Sequence, residues 1–413
     1  MKQAWQSVLS GGQTRTEAFE TGSPIVDNFS LLRGGPFYRF QVLVDMALPH
    51  RFQVMQRAIA MVFLTWVPVL ILAFIQGQAF GNRVRTPFLY DYAANIRLLL
   101  TVPILIIAET IVDPRLRHAV QYFVNSGLVQ KRELVAFEET IRTANRLRDS
   151  AFISVLLILF AFGPSLWLRG KEIIGSEAST WHTVHSLGGQ SVSLAGWWFA
   201  LISIPLYRLL LFRWVWIIVL WTIFVRRIMK LRLYTVATHP DRAAGFGFLT
   251  HTQLSFALIA FAASALVAGG FANVLAYEGG SIHGLQFSMI TSCVLIFAFM
   301  VAPLLVVTPK LFKVKEAGVF QYGALGTTYV QDFDSKWVRG AKPEDEQLLG
   351  TSDIQSLADL SNSFAIVDKM RVFLFDKEIL VGIAIPVLFP MLVLLVIASP
   401  TEELIQAILK LLV

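Results

Sequence analysis

Residues 58–76 read AIAMVFLTWVPVLILAFIQ, nineteen residues without a single Lys, Arg, Asp or Glu. At about 1.5 Å per residue, a helix of that length reaches across a hydrocarbon core of about 30 Å. Lipid offers no partner to backbone N–H and C=O groups, so the run must be helical. It forms the middle of a first span, at about 57–77. Six further apolar blocks follow, at about 96–112, 150–168, 197–225, 252–276, 286–308 and 379–398. Composition agrees. The chain is 55% hydrophobic and only 15% charged, where a soluble domain carries about 25% charge. The fold class read from this is an all-α polytopic helical membrane protein of about seven transmembrane helices, several kinked by proline, with a helical cytoplasmic portion.

Orientation follows from the basic residues. The N-terminal segment and the segments after spans two, four and six hold 27 Lys and Arg, whereas the alternate segments and the tail hold 6. The positive-inside rule then predicts a bacterial inner or plasma membrane, with the N-terminus cytoplasmic and the C-terminus outside. The formal net charge of +7, distributed this way, points to anionic lipid headgroups at the cytoplasmic face and not to nucleic acid. Residues 1–30 lack the apolar core of a cleavable leader. The lone cysteine, Cys293, excludes an intramolecular disulfide and a cysteine-built metal centre.

The expected organisation is a cytoplasmic segment 1–56, a six-span region 57–308, a cytoplasmic segment 309–378, and a last span with a short tail, 379–413. Within the first segment, residues 29–52 read as a helix lying in the interface. A hairpin of two helices is expected over 114–149, the first starting with Pro114 at N1 and broken at Asn125 to Gly127. Residues 309–378 begin in a Gly-rich stretch. They end in a helix from about 353, capped by Thr351-Ser352-Asp353, with Ile354, Leu357, Leu360, Phe364 and Val367 on its apolar face. Residues 401–413 read as an amphipathic helix too short to span.

Arg208 and Arg213 fall inside span four, roughly 16 and 24 Å below Trp197 at helical rise. An arginine at such depth costs about 2.5–3.5 kcal/mol on insertion scales, so something must compensate. The two readings are an anion pathway lined by Arg208 and Arg213, or ion pairing and snorkelling among Tyr207, Trp214 and Trp216. Glu109, the only acid within a span, is either the ion-pair partner of Arg213 or a proton-coupling carboxylate. Prolines 68, 103, 164, 205, 303, 386 and 390 stand in six of the seven spans and predict bent helices around a vestibule or a moving part. Span five has small residues instead, suited to close helix packing.

The loop His239-Pro240-Asp241-Arg242-Ala243-Ala244-Gly245-Phe246-Gly247-Phe248 invites three readings. Gly-Phe-Gly lacks the Thr-Val and the pore helix of a potassium filter. His239, Asp241 and His251 form a possible metal set without a recurring ligand spacing. The favoured reading is a tight turn in which Asp241 and Arg242 pair and Gly245 and Gly247 allow close backbone approach. His182 and His185, three apart, read as a solvated pair or, if helical, a metal pair.

Three stretches, ANRLRDS at 144–150, HPDRAAGFGFL at 239–249 and LGTSDIQSLADL at 349–360, resemble a family of bacterial multi-pass inner-membrane proteins of no assigned activity. That family carries an HPDR-x-x-G-x-GFL loop and a DIQSLADL segment. The resemblance covers the chain from about residue 50 onward and implies a helical polytopic membrane protein, but no activity. The family loop reads Gly-Gly-Leu-Gly-Phe-Leu where this chain has Ala244-Gly245-Phe246-Gly247. All three stretches fall on the cytoplasmic side, which hints at a shared assembly or gate there.

The expected function is membrane transport, a channel-like homo-oligomer passing small inorganic anions, with no cofactor and no catalytic residues. One alternative is a scaffold or signalling protein recruiting a partner through its cytoplasmic segments. A second is a membrane-embedded metal-dependent enzyme using His239, Asp241 and His251.

Overall fold

The structure is a computed structural model. It describes residues 23–35, 50–167, 180–186, 189–340, 348 and 352–398. The expectations for residues 36–52, apart from the backbone from His50, and for the amphipathic tail 401–413 lie outside the described residues.

Apolar blocks become long helices because nothing else satisfies their backbone in lipid. α1 is His50–Ile75. α2 runs unbroken from Tyr92 to Asn125, and α3 is Leu134–Arg148. α4 is Ala151–Trp167. A short hairpin follows, with β1 Thr183–Ser186 antiparallel to β2 Gly189–Val192. α5 spans Leu194–Met229, α6 Phe248–Tyr277, and α7 Ile282–Leu305. α8 is Thr308–Phe333, α9 Ser352–Asp368, and α10 Lys377–Ala398. Among the described residues, six helices are long and apolar enough to cross a membrane, or seven where α3 and α4, bent by 40°, are taken together as one span. The faces they turn outward are apolar, with Phe63, Phe74, Phe152, Phe287 and Ile397 all exposed. Such a surface suits lipid and not water.

Two helical expectations change. Pro114 does not start a new helix. It sits inside α2, so the second span and the first half of the expected hairpin are one helix of 34 residues. The expected break does occur after Asn125, where Gly127 takes φ +75°. The Gly-rich stretch after residue 309 is also helix, α8, continued by a π-helical turn at Asp334–Val338. Its glycines bring neighbours close: a Cβ on Gly318 would stand 2.5 Å from Ala237 Cβ and 3.1 Å from Val367 Cγ1. On α9, Val367 is buried but Leu357 and Leu360 are only half-buried and Phe364 is exposed. Its apolar face is thus partly covered. Asp353 turns its carboxylate to Lys336 Nζ (3.0 Å) and Trp337 Nε1 (2.9 Å), both on the π turn after α8.

The prolines act as adhesive between helices. Proline lacks an N–H and crowds the preceding turn, which strips helix partners from carbonyls there. Ahead of Pro68, Leu64 O accepts from Trp198 Nε1 (3.2 Å) and Thr65 O from Ser203 Oγ (2.6 Å), both on α5. Ahead of Pro303, Met300 O accepts from Gln253 Nε2 of α6. Ahead of Pro390, Val387 O accepts from Ser264 Oγ of α6. Side chains of neighbouring helices therefore reach carbonyls one turn before a proline in three of the spans.

The end of the bundle carrying β1 and β2 is the hairpin end. The opposite end, carrying α3, the 230–247 connection and the α8–α9 pair, is the basic end.

Candidate functional site

Two arginines on one helix meet different surroundings. Arg213 of α5 ion-pairs through Nη1 with Glu109 Oε1 of α2, while Arg57 Nη1 of α1 lies 3.8 Å from the other Glu109 oxygen. Arg213 Nη2 donates to Leu32 O at 3.1 Å. Leu32 belongs to the segment 29–35, which is not an interfacial helix in its described part. Phe29, Leu31 and Leu32 are buried, and Phe29 stacks on Phe224 at 5.1 Å. Irregular backbone buried in a bundle needs donors for its carbonyls, and arginines supply them. Arg117 Nε of α2 donates to Phe29 O (3.3 Å), Arg148 Nη1 of α3 to Ser30 O, and Arg213 to Leu32 O. Asp113 of α2 accepts from Ser30 Oγ and pairs with Arg33 (3.1 Å) and Arg117 (3.3 Å). Arg213 and Glu109 therefore form a buried ion pair that also clamps this segment.

Arg208 sits five residues nearer the hairpin end and differs. Its hydrogen bond is Nη1 to Ser165 Oγ of α4, a long 3.4 Å, and no carboxylate pairs with it among the described residues. Beside it stands Arg97 of α2. Arg97 Cζ lies 5.5 Å from the Tyr207 ring and 6.0 Å from the Phe199 ring. Arg97 Nε and the Tyr207 hydroxyl are buried without a hydrogen-bond partner. The backbone explains the placement. α2 is π-helical over Ile96–Thr101 and α5 over Phe199–Ser203, each stretch ending two residues before a proline, Pro103 and Pro205 in turn. The widened turns close with Val102 N donating to Arg97 O and Ile204 N to Phe199 O. π-bulges of this kind recur at functional sites.

The hairpin end of this region is built on Asp91. Its Oδ1 accepts from Ala94 N (2.9 Å) and Asn273 Nδ2 (2.8 Å), and its Oδ2 from Trp181 Nε1 (2.9 Å). His182 Nε2 lies 3.8 Å from Oδ2. Burial holds the His182 imidazole below its ordinary range; Asp91 pulls the other way and Arg97 adds to the lowering. His182 stands in a strand-and-turn segment and not a helix. The side chain of His185 lies outside the described residues.

The loop 239–247 is a rigid joint. The Asp241 carboxylate does not pair with Arg242. It accepts from the backbone N–H groups of Ala243 (2.8 Å), Gly245 (3.2 Å) and Gly247 (2.9 Å), and lies 2.7 Å from His239 Nδ1. To aim those groups inward the chain takes φ +53° at Arg242, +53° at Ala244 and +93° at Gly245. Burial opposes ionisation of Asp241, but the three N–H groups and His239 outweigh it and hold its pKa below the ordinary value. The outer carbonyls of the loop receive Arg371: Arg371 N donates to Arg242 O (2.7 Å) and Nη2 to Asp241 O (3.0 Å). Arg371 also pairs with Asp376 (2.8 Å), whose Oδ1 accepts from Ile379 N in the first turn of α10. His251 is exposed on α6. No group of three His, Cys, Asp or Glu side chains that could hold a metal occurs among the described residues.

Arg208, Arg213, Glu109 and the loop were all visible in the sequence; Asp91, Arg97 and Tyr207 as a group were not. The available signal was proline, since Arg97 and Phe199 hold the same place relative to Pro103 and Pro205. In comparisons with protein families, curated proteins and solved structures, nothing matches the chain.

Proposed function

We propose that the protein is an inner-membrane transport protein that passes small inorganic anions, with its basic end in the cytoplasm and its hairpin end outside. The observation that carries the reading is Arg208, a guanidinium deep in a span, hydrogen-bonded to a serine and paired with no carboxylate among the described residues. In so poor a solvent for charge, an anion is the natural complement. The two arginine positions divide the work. Arg208 faces the anion, while Arg213, committed to Glu109 and Leu32, holds the segment 29–33 across the cytoplasmic end. The lysines and arginines of α3, α8 and the 226–242 stretch suit anionic headgroups at that face.

Chloride flux in proteoliposomes tests this. Wild-type protein should pass chloride, and Arg208→Gln should abolish most of the flux with melting behaviour preserved. Absence of flux from wild-type protein across chloride, nitrate and bicarbonate gradients would overturn the reading.

One observation favours assembly as a second reading. The α8–α9 pair leaves Phe312, Phe320, Leu325 and Val330 exposed, an apolar surface that a second copy or a cytoplasmic partner would cover. Light scattering of the purified protein with and without Phe320→Glu distinguishes a homo-oligomer from a monomer.

A further inference from the structure

We infer that Arg97, Tyr207 and Arg208 form a binding site for one monovalent inorganic anion of chloride size, in the hairpin-end half of the membrane region between α2, α4 and α5. The inference deepens the transport reading by assigning its binding station and two residues beyond Arg208.

The first support is unmet hydrogen-bonding capacity. A buried hydroxyl or guanidinium N–H without a partner costs free energy, and proteins rarely leave one. Here Tyr207 is 4% exposed with its hydroxyl unpartnered, and Arg97 Nε is buried in the same condition. Arg97 Nε–H can only donate and the Tyr207 hydroxyl has a proton to donate, so one acceptor would complete both. Arg213, eight Å or so along the same helix, has its carboxylate and its carbonyl.

The second support is charge. The titratable groups that face one another here are Asp91, Arg97, His182, Tyr207 and Arg208. Two of them are arginines and one, Asp91, is an acid whose oxygens already accept from Ala94, Asn273 and Trp181. His182, buried beside Arg97, is uncharged at neutral pH. The cluster therefore carries one net positive charge inside the membrane region, which a single monovalent anion neutralises. A divalent anion would leave the reverse imbalance, so sulfate is excluded on charge. The Phe199 and Tyr207 rings lie within 6.0 Å of the Arg97 guanidinium, which favours an anion that gives up its water readily.

The third support is geometry. The two π-bulges turn Arg97 and Phe199 toward each other, and Pro103 and Pro205 fix the bulges in place.

The test is binding of radiolabelled chloride to purified full-length protein by scintillation proximity, with unlabelled bromide and sulfate as competitors. Wild-type protein should bind chloride saturably; bromide should compete and sulfate should not. Tyr207→Phe keeps the ring against Arg97 and removes only the hydroxyl; it should weaken binding about tenfold, the usual worth of a hydrogen bond to a charged group. Arg97→Lys keeps the charge without the planar fork and should also weaken it, while Arg208→Gln should abolish saturable binding. Melting of each variant in chloride-free buffer checks that it is folded. Chloride binding unchanged in both Tyr207→Phe and Arg208→Gln, or competition by sulfate equal to that by bromide, would overturn the site. Saturable binding with these sensitivities but no flux in liposomes would leave the site standing and remove the transport reading. Flux indifferent to Arg97 and Tyr207 would do the reverse.

Discussion

Arg213→Gln probes the buried pair directly. The substitution strands the Glu109 carboxylate and removes the donor to Leu32 O. Breaking a buried ion pair from one side costs about 3–5 kcal/mol, because an uncompensated charge stays behind. An orphaned buried carbonyl adds about 1–3 kcal/mol. Arg57, 3.8 Å from the second Glu109 oxygen, recovers part of the first cost by moving closer. A loss of about 4 kcal/mol is therefore expected. Adding Glu109→Gln removes the stranded charge but not the Leu32 deficit, so the double variant should be more stable than Arg213→Gln alone. The coupling, about 2–3 kcal/mol in a double-mutant cycle, is read from unfolding of purified protein titrated with SDS in mixed micelles. Since Arg213 also clamps residues 29–33, the single variant should become sensitive to trypsin at Arg33. Strictly additive effects, or wild-type resistance at Arg33, would refute both the pair and the clamp.

Asp241→Asn should destabilise by about 2–4 kcal/mol, since an amide cannot accept from three backbone N–H groups as a carboxylate does; thermal unfolding in detergent reads it. The Asp241 pKa is lowered in the folded protein, so its contribution is fully present above the ordinary aspartate range. It is lost as pH falls through the folded pKa, and wild-type but not Asp241→Asn protein should lose stability below about pH 4 for this reason. Gly318→Leu should separate α8 from Ala237 and Val367 and lower the melting temperature by several degrees, where Gly326→Leu, with open space before its Cβ, should not. Ser203→Ala should cost about 1–2 kcal/mol by leaving Thr65 O, loosened by Pro68, without its donor; unchanged melting would show that the kink does not need α5.

The spans were legible because their signal is compositional and local: an uncharged run of nineteen residues has one stable state in lipid. Glu109 facing Arg213 was legible for a related reason, since two opposite charges in low dielectric must find each other. What the one-dimensional pattern concealed is where irregular backbone goes. Residues 29–35 carry aromatic and basic side chains that suit an interface. Yet Phe29 and Leu31 are buried, because arginines on three other helices satisfy their neighbours' carbonyls. That choice depends on Arg117, Arg148 and Arg213, residues 88 to 181 positions away. Pro114 misled for the opposite reason. A helix start and a helix interior look alike at a proline, and tertiary contacts of α2 carry the helix through it. The Asp241–Arg242 pair failed because neighbours in sequence point apart once Arg242 takes φ +53°.

The three stretches that resemble one family gain a common physical meaning from their contacts. ANRLRDS ends in Arg148 and Asp149, and Arg148 holds Ser30 O while pairing with Asp149 at 2.8 Å. HPDRAAGFGFL presents Asp241 O and Arg242 O to Arg371, which through Asp376 sets the start of α10. DIQSLADL begins with Asp353, which takes Lys336 and Trp337 from the end of α8. In each stretch a charged side chain fastens one element to another at the basic end. None of them touches Arg97, Tyr207 or Arg208. A joint constrains how the spans are arranged and says little about what lies between them. These joints hold the basic end of the bundle, while the proposed anion station lies at the other end, among the polar groups that α2 and α5 turn toward each other. Changing Arg97 and Tyr207 together should alter anion binding at that proposed station and leave the basic end as it is.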